Sequence, residues 1–148
     1  MFVGYQNNVA CFIGQTEDEL KNLPCVVLDK IEEVEFAEMY NGNIYLSEES
    51  LILAKQDFVR GVRNSYLEQY VDPVASNPLR WADMTEAEQN EIKDYRTYLL
   101  GYTDGENWWE QYPMPFYVWL VNKQKANPEE SEQVDEPVEE LEKEEEAS

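Results

Sequence analysis

Residues 81–115 constrain the fold of this chain most strongly, because they contain both the start and the apolar face of a helix. Thr85 and Glu88 have the spacing of a capping box, in which the hydroxyl accepts from the amide of residue 88 and the carboxylate reaches back to the amide of residue 85. Gly101 can end the helix in the left-handed conformation. The pattern predicts a helix over residues 86–100. Its buried face consists of large side chains spaced three, four and three residues apart, namely Ile92, Tyr95, Leu99 and Tyr102.

A longer helix is predicted upstream of this one. Ser47 is a good N-cap, and Asp72-Pro73 is expected to stop the helix. The loop over residues 73–80 is short enough to return the chain antiparallel, so the two helices should form a helical hairpin. The apolar stripe of the first helix contains Ile52, Val59, Val62, Tyr66 and Tyr70, and Leu51 and Phe58 widen it.

The first 47 residues favour short strands. Alternating residues predict strands at about 2–5 and 9–13, joined by a turn at Gln6-Asn7-Asn8. The apolar run CVVL predicts a strand at 25–28. Asn41-Gly42 supplies the positive φ angles of a type I′ hairpin turn within residues 35–47. Thr16 and Glu19 form a second capping box and predict one helical turn over residues 17–22.

The C-terminal segment has a different composition from the rest of the chain. The formal net charge of the 148 residues is −21, from 32 acidic and 11 basic residues. Residues 122–148 hold 11 acidic and 3 basic residues, which leaves a charge of −13 on residues 1–121. With little apolar mass to offset the entropy of ordering, residues 124–148 are predicted to be disordered.

These patterns together predict an α+β fold. A small N-terminal antiparallel sheet over residues 1–47 is followed by the two-helix antiparallel hairpin and an irregular aromatic segment over residues 48–121. A disordered acidic tail occupies residues 122–148.

Composition argues against several classes of function. An acidic chain repels nucleic-acid phosphates, so no nucleic-acid partner is expected. The chain contains no histidine, which removes the usual general base and a common metal ligand, so we expect neither an enzyme nor a metal or other cofactor. The apolar block at residues 116–121 is far shorter than the roughly 20 residues that span a bilayer, and no signal peptide is visible. We therefore expect an intracellular protein without a membrane partner, in which Cys11 and Cys25 are reduced thiols.

An aromatic and proline-rich segment is the strongest candidate for a functional surface. Aromatic rings on a loop that prolines hold rigid are typical of surfaces that bind other proteins. The same rings could equally lie over the helical hairpin as a lid on the core, and the sequence leaves both interpretations open. The segment contains Trp108, Trp109, Tyr112, Pro113 and Pro115.

Residues 50–116 resemble the phage tail fiber assembly proteins. The shared features are Trp81, an acidic helix carrying Tyr95-Arg96 and Leu99, a loop with Gly and Asp, and an aromatic residue followed by Pro-x-Pro. An upstream helix adds Arg60, Arg63 and Asp72. The resemblance implies an assembly chaperone in the host cytoplasm that binds a phage tail fiber protein and is either released or retained in the virion. A homo-oligomer is compatible with it.

Structural or partner-binding roles are expected for particular residues. A structural role is expected for Arg63, Asp72, Trp81 and Thr85, with Arg63 and Arg96 pairing with Asp72 or donating to carbonyls that end a helix. The residues expected to bind the partner are Tyr95, Arg96, Trp108, Trp109, Tyr112, Pro113 and Pro115.

Two other functions remain open on the sequence. The acidic body could mimic nucleic-acid phosphate and block a basic groove of a host DNA-binding defence protein. The tryptophans could instead stack on sugars, which would make the protein an adhesin at the fiber tip.

Overall fold

The N-terminal part of the chain forms two small antiparallel sheets in the computed structural model, which describes residues 1–126. The strands are β1 (Phe2–Gln6), β2 (Val9–Gly14), β3 (Lys30–Glu33), β4 (Glu38–Tyr40) and β5 (Asn43–Tyr45). β1 lies between β2 and β3 in the first sheet, and β4 pairs with β5 in the second. With the helices described below, these sheets confirm the α+β class.

Two-residue turns close both predicted hairpins. Asn7 and Asn8 join β1 to β2 with φ angles of 50° and 62°. Asn41 and Gly42 join β4 to β5 with φ angles of 48° and 78°. Positive φ at both central residues is what a type I′ turn requires, and Asn and Gly tolerate it best. Both hairpins are therefore determined by local sequence.

The predicted strand at residues 25–28 is wrong. Cys25 has a left-handed φ of 60°, and Val27 is 82% exposed. The backbone partner of β1 is β3. Leu28 instead packs its side chain over Gly4, where a Cβ would leave it no room. At Leu28 this apolar run packs a side chain on the sheet, and a short apolar pattern cannot distinguish such packing from strand pairing.

The first helix, α1 (Glu17–Lys21), has the predicted Thr16 cap, but the Glu19 carboxylate bonds one residue upstream of the amide that a capping box uses. The amide of Glu19 donates to Thr16 Oγ1 at 3.3 Å, and the Glu19 carboxylate accepts from the amide of Gln15 at 2.7 Å. Leu20 is the buried residue of this helix. The predicted single helical turn over residues 17–22 is confirmed to within one residue.

A continuous helical segment follows the second sheet. It consists of α2 (Glu48–Tyr66), a π turn (Leu67–Val71) and α3 (Asp72–Ala75). The prediction that Asp72-Pro73 stops the helix is wrong, because the wide π turn lets the Asp72 amide donate to the Leu67 carbonyl. Pro73 then lies in the first turn of α3, where its missing N–H costs little.

The segment between the two long helices is not the predicted loop over residues 73–80. It contains a short helix, α4 (Pro78–Asp83), which Asn77 caps by accepting from the Arg80 amide at 3.2 Å. The next long helix, α5 (Glu86–Gly101), packs against the π turn through Tyr70 and Tyr95. The antiparallel two-helix hairpin is not confirmed.

Both ends of α5 differ in detail from their predicted geometry. The Glu88 amide donates to Thr85 Oγ1 at 3.2 Å, which confirms the cap. The Glu88 carboxylate, however, accepts from the Thr85 hydroxyl at 3.0 Å and not from the amide of residue 85. Gly101 has a φ of −83°, so the predicted left-handed stop is wrong. No reversal of φ is needed there, because the chain continues directly into a 3₁₀ turn (Tyr102–Asp104).

The last described element is α6 (Phe116–Ala126). Residues 116–121 were predicted to be irregular, and the disordered tail was predicted from residue 122 or 124, so both predictions are wrong for these positions. Phe116 and Trp119 are three residues apart and pack on Tyr95, and this tertiary packing selects the helix. The predicted disorder of residues 127–148 lies outside the described residues.

The described residues form their largest core around α5. Ile92, Tyr95 and Leu99 of α5 are buried there together with Val71 of the π turn. This confirms most of the predicted apolar face of α5. The partly buried residues around this core include Tyr66, Tyr70, Trp81, Tyr98, Phe116 and Trp119. Val3, Leu20, Ala37, Leu51 and Val59 are also buried. None of the helices within residues 1–126 has the length and apolar character needed to cross a membrane.

Candidate protein-interaction surface

Two tyrosine hydroxyls hold the backbone of Met114, between the two prolines of the Pro-x-Pro sequence. Tyr95 donates to the Met114 carbonyl at 2.8 Å, and Tyr98 accepts from the Met114 amide at 2.8 Å. Pro113 is buried, and Pro115 is half-buried. Burial raises the pKa of both hydroxyls, although the Met114 amide opposes the rise at Tyr98. Both groups are therefore neutral at physiological pH, and the end of the aromatic segment is fixed to the core.

The two tryptophans lie at the start of this segment, in a 3₁₀ turn (Trp108–Glu110). Asn107 directly precedes the turn and has a left-handed φ of 50°. Trp108 and Trp109 are both half-buried and meet edge to face with ring centroids 5.9 Å apart. The guanidinium of Arg60 lies over the Trp108 ring at 5.1 Å, which attaches the turn to α2. The tryptophans are thus neither free on a loop nor fully enclosed.

Three aromatic rings in contact with one another form a row on the surface beside this turn. Tyr112 meets Phe58 of α2 edge to face at 5.7 Å, and Phe58 meets Tyr40 of β4 in the same way at 6.1 Å. Tyr112 is 55% exposed and Phe58 is 42% exposed, whereas Tyr40 is half-buried. Burial and a hydrogen bond with Tyr112 raise the pKa of Tyr40 to about 12. We call Tyr40, Phe58, Trp108, Trp109 and Tyr112 the aromatic surface.

Two cations lie on this surface although the chain is strongly acidic. The Lys55 ammonium lies over the Tyr40 ring at 5.9 Å, and Arg60 lies over Trp108. Arg60 also pairs with Asp57 at 3.2 Å. Aromatic and arginine side chains are the residues that most often carry binding energy at protein interfaces. The residue types of the aromatic surface are therefore ones that are typical of protein interfaces.

The structure distributes the predicted partner-binding residues among different environments. Tyr95 is 0% exposed and Pro113 is buried, so neither is accessible to a partner in this structure. Arg96 is exposed on α5 but belongs to no cluster with the aromatic surface. Trp108, Trp109 and Tyr112 do come together there. The proline end of the segment thus covers the core, while its aromatic start lies on the surface.

The residues that were predicted to have structural roles agree with their predictions to different degrees. Within residues 1–126, neither Arg63 nor Arg96 forms an ion pair with Asp72. Arg63 instead donates to Asn64 Oδ1 at 3.2 and 3.1 Å and approaches Thr103 Oγ1 at 3.5 Å. Trp81 packs against the main core, and Thr85 caps α5.

Sequence reasoning missed two members of the aromatic surface, Tyr40 and Phe58. Phe58 was assigned to the buried stripe of its helix, and Tyr40 was assigned only to a hairpin strand. The one local signal was the position of Phe58 at the margin of that stripe. Its contact with Tyr112 joins residues that are 54 positions apart, which a local pattern cannot reveal.

The described residues contain no arrangement that points to metal chemistry. Within residues 1–126, no group of three or more Cys, Asp or Glu side chains is placed to hold a metal ion. A groove of about 510 Å³ lies between α5 and α6, lined by Glu91, Asp94, Leu120 and Lys123, among others. An ion pair in this groove joins Lys123 to Asp94 at 2.8 Å.

Comparison with known protein families, with curated proteins and with solved structures finds no match for this chain. The resemblance to the phage tail fiber assembly proteins therefore stays a prediction that rests on the quoted motifs alone.

Proposed function

We propose that this chain is an interaction protein that holds a partner polypeptide on its aromatic surface. The observation that carries the proposal is a row of three contacting rings, in which exposed Phe58 and Tyr112 adjoin half-buried Tyr40. The three rings come from a helix, the aromatic segment and a strand. Exposed Phe58 and Tyr112 have no evident role in the core. Partly exposed, rigidly held rings are suited to bind protein at low cost in conformational entropy.

The way the segment is anchored supports this proposal. The Met114 backbone is bonded to two core tyrosines, and the 3₁₀ turn is attached to α2 through Arg60 and Trp108. A surface that is fixed at both ends loses little conformational entropy when a partner binds. In the proposed function, burial of Tyr95 and Pro113 supports the surface, and the rings of Phe58, Trp108 and Tyr112 contact the partner.

The proposed partner is a phage tail fiber subunit, and this part of the proposal rests on the family resemblance. Fiber chains expose apolar strand edges before they trimerise, which makes them prone to aggregate. An acidic partner with an aromatic surface could cover such edges reversibly in the host cytoplasm. The predicted antiparallel arrangement of α2 and α5 is part of this proposal, as the support for that surface.

Co-expression tests this function directly. A phage tail fiber gene is expressed with and without this chain, and the yield of soluble fiber trimer is measured. We expect the chain to raise that yield and to co-purify with the fiber subunit before trimerisation. Equal yields in both cultures, with no co-purification, would contradict the proposal.

A further inference from the structure

A small recess lies next to Trp108, between the two 3₁₀ turns that follow α5. Its volume is about 340 Å³, which is at the lower end of the range for sites that bind small ligands. Two aromatic residues, two carboxylates and two amides line it, together with one glycine. These residues are Tyr102, Gly105, Glu106, Asn107, Trp108, Glu110 and Gln111.

We propose that this recess binds the side chain of an arginine or lysine of the partner polypeptide. The inference rests on the proposed function and names the partner's chemistry at one place. Tyr102 and Trp108 offer aromatic surfaces, which attract cations through the electron-rich ring faces. Glu106 and Glu110 supply carboxylates, the strongest hydrogen-bond acceptors for a guanidinium or ammonium group.

The carboxylates of the recess are free to take such a group. Within residues 1–126, neither Glu106 nor Glu110 belongs to an ion pair. Both are exposed, so a cation can reach them without unfolding any element. Arg60, which lies over Trp108, pairs instead with Asp57 on its own helix.

Contacts between a cation and an aromatic ring occur elsewhere in this chain. Cations lie over aromatic rings at five places in the described residues, where the ring belongs to Tyr5, Tyr40, Trp81, Trp108 or Trp119. Tyr102 has no such cation from residues 1–126, although it lies beside two carboxylates. A cation from a second chain would complete the same contact there.

The charge of the whole chain favours a cationic group over a neutral one. The formal net charge is −21, and an acidic body raises the local concentration of basic segments near it. A sugar could also stack on the two rings, but it would gain nothing from this field. The recess therefore fits a basic side chain better than a neutral ligand.

The test uses the unaltered, isotopically labelled chain and a pair of short peptides in a titration followed by NMR. One peptide is acetyl-Gly-Arg-Gly-amide, and the other carries citrulline, the neutral isostere of arginine, in place of Arg. We expect the arginine peptide to shift the Trp108 indole N–H and the Gly105 amide in a saturable way. The citrulline peptide should leave both signals unshifted.

Variants with equal changes in charge separate a local site from general attraction. Glu106→Gln with Glu110→Gln should weaken binding of the arginine peptide about tenfold, because two charge-assisted contacts are lost. The control is Glu33→Gln with Glu35→Gln, which removes the same charge from exposed positions near β3 and should leave binding within about twofold, a residual effect of the overall field.

Three results would overturn the inference: equal binding of the two peptides, equal weakening by both double variants, or saturable shifts with methyl glucoside in place of the arginine peptide. The outcome is separate from that of the co-expression experiment. If the peptide binds but fiber yield does not rise, the recess still binds a basic side chain and the fiber subunit is not the partner. A gain in fiber yield without peptide binding would reject the recess alone.

Discussion

Single side chains decide how firmly the aromatic segment is held. Tyr95 and Tyr98 lie three residues apart on α5, and both reach the backbone of Met114. One hydroxyl donates to the carbonyl and the other accepts from the amide, so both backbone polar groups of Met114 are satisfied. The sequence predicted Tyr95 as a core residue by its spacing, but these backbone partners could not be predicted because they lie 19 and 16 residues away.

Replacing either hydroxyl tests this anchoring. Tyr98→Phe removes the acceptor of the Met114 amide, and Tyr95→Phe removes the donor to its carbonyl. We expect each change to lower the free energy of unfolding by about 1 kcal/mol, the usual net value of one hydrogen bond. Urea unfolding measures the change. The control is Tyr117→Phe, whose ring is 71% exposed and which should leave stability within about 0.5 kcal/mol. A stable Tyr98→Phe variant would mean that the segment is held by packing alone.

Individual elements of this fold follow local sequence where caps and turns specify them. The two asparagine-containing hairpins, α1 and the start of α5 were predicted because each depends on residues within a few positions. The end of the first long helical segment was not predicted, because the π turn at Leu67–Val71 accommodates Pro73. No residue in that turn has a distinctive sequence signal.

The cap of α5 is the element-scale feature that is simplest to test. Thr85→Ala removes the acceptor of the Glu88 amide and should destabilise the chain by about 1 kcal/mol, the typical value of an N-cap. Thr97→Ala is the matched control. Its hydroxyl bonds only to the Lys93 carbonyl inside the same helix, and alanine favours helix more than threonine does. Urea midpoints that fall equally for both variants would contradict the assignment of Thr85 as the cap.

Two other elements show where local patterns fail. Residues 25–28 look like a strand, but Leu28 is drawn over Gly4 by packing against β1. Residues 116–126 looked irregular and then disordered, but Phe116 and Trp119 pack on Tyr95 and complete a helix. In both cases contacts with distant residues override the local preference.

The aromatic surface exists only at the scale of the whole molecule. Its residues come from β4, α2 and the segment after α5, so no single stretch of sequence contains it. The sequence did identify the tryptophans and Tyr112 as candidates, because aromatic residues and prolines are concentrated there. It could not show that Tyr112 meets Phe58 and Tyr40, or that Pro113 turns inward.

The central claim is that these exposed rings bind the partner, and one matched comparison of variants tests it most directly. Phe58→Ala with Tyr112→Ala removes two exposed rings of the aromatic surface. The control, Tyr117→Ala with Val118→Ala, removes exposed apolar side chains from α6. Neither pair opens a core cavity, so circular-dichroism melts of both variants should stay close to that of the parent chain.

Each variant is co-expressed with the proposed partner, a phage tail fiber subunit, and the yield of soluble trimer is measured. We expect the Phe58 and Tyr112 variant to lower the yield to that of the fiber expressed alone, because exposed anchors at an interface contribute roughly 2 kcal/mol or more each. The α6 control should retain the full yield. A folded Phe58 and Tyr112 variant that still gives full fiber yield would contradict the account.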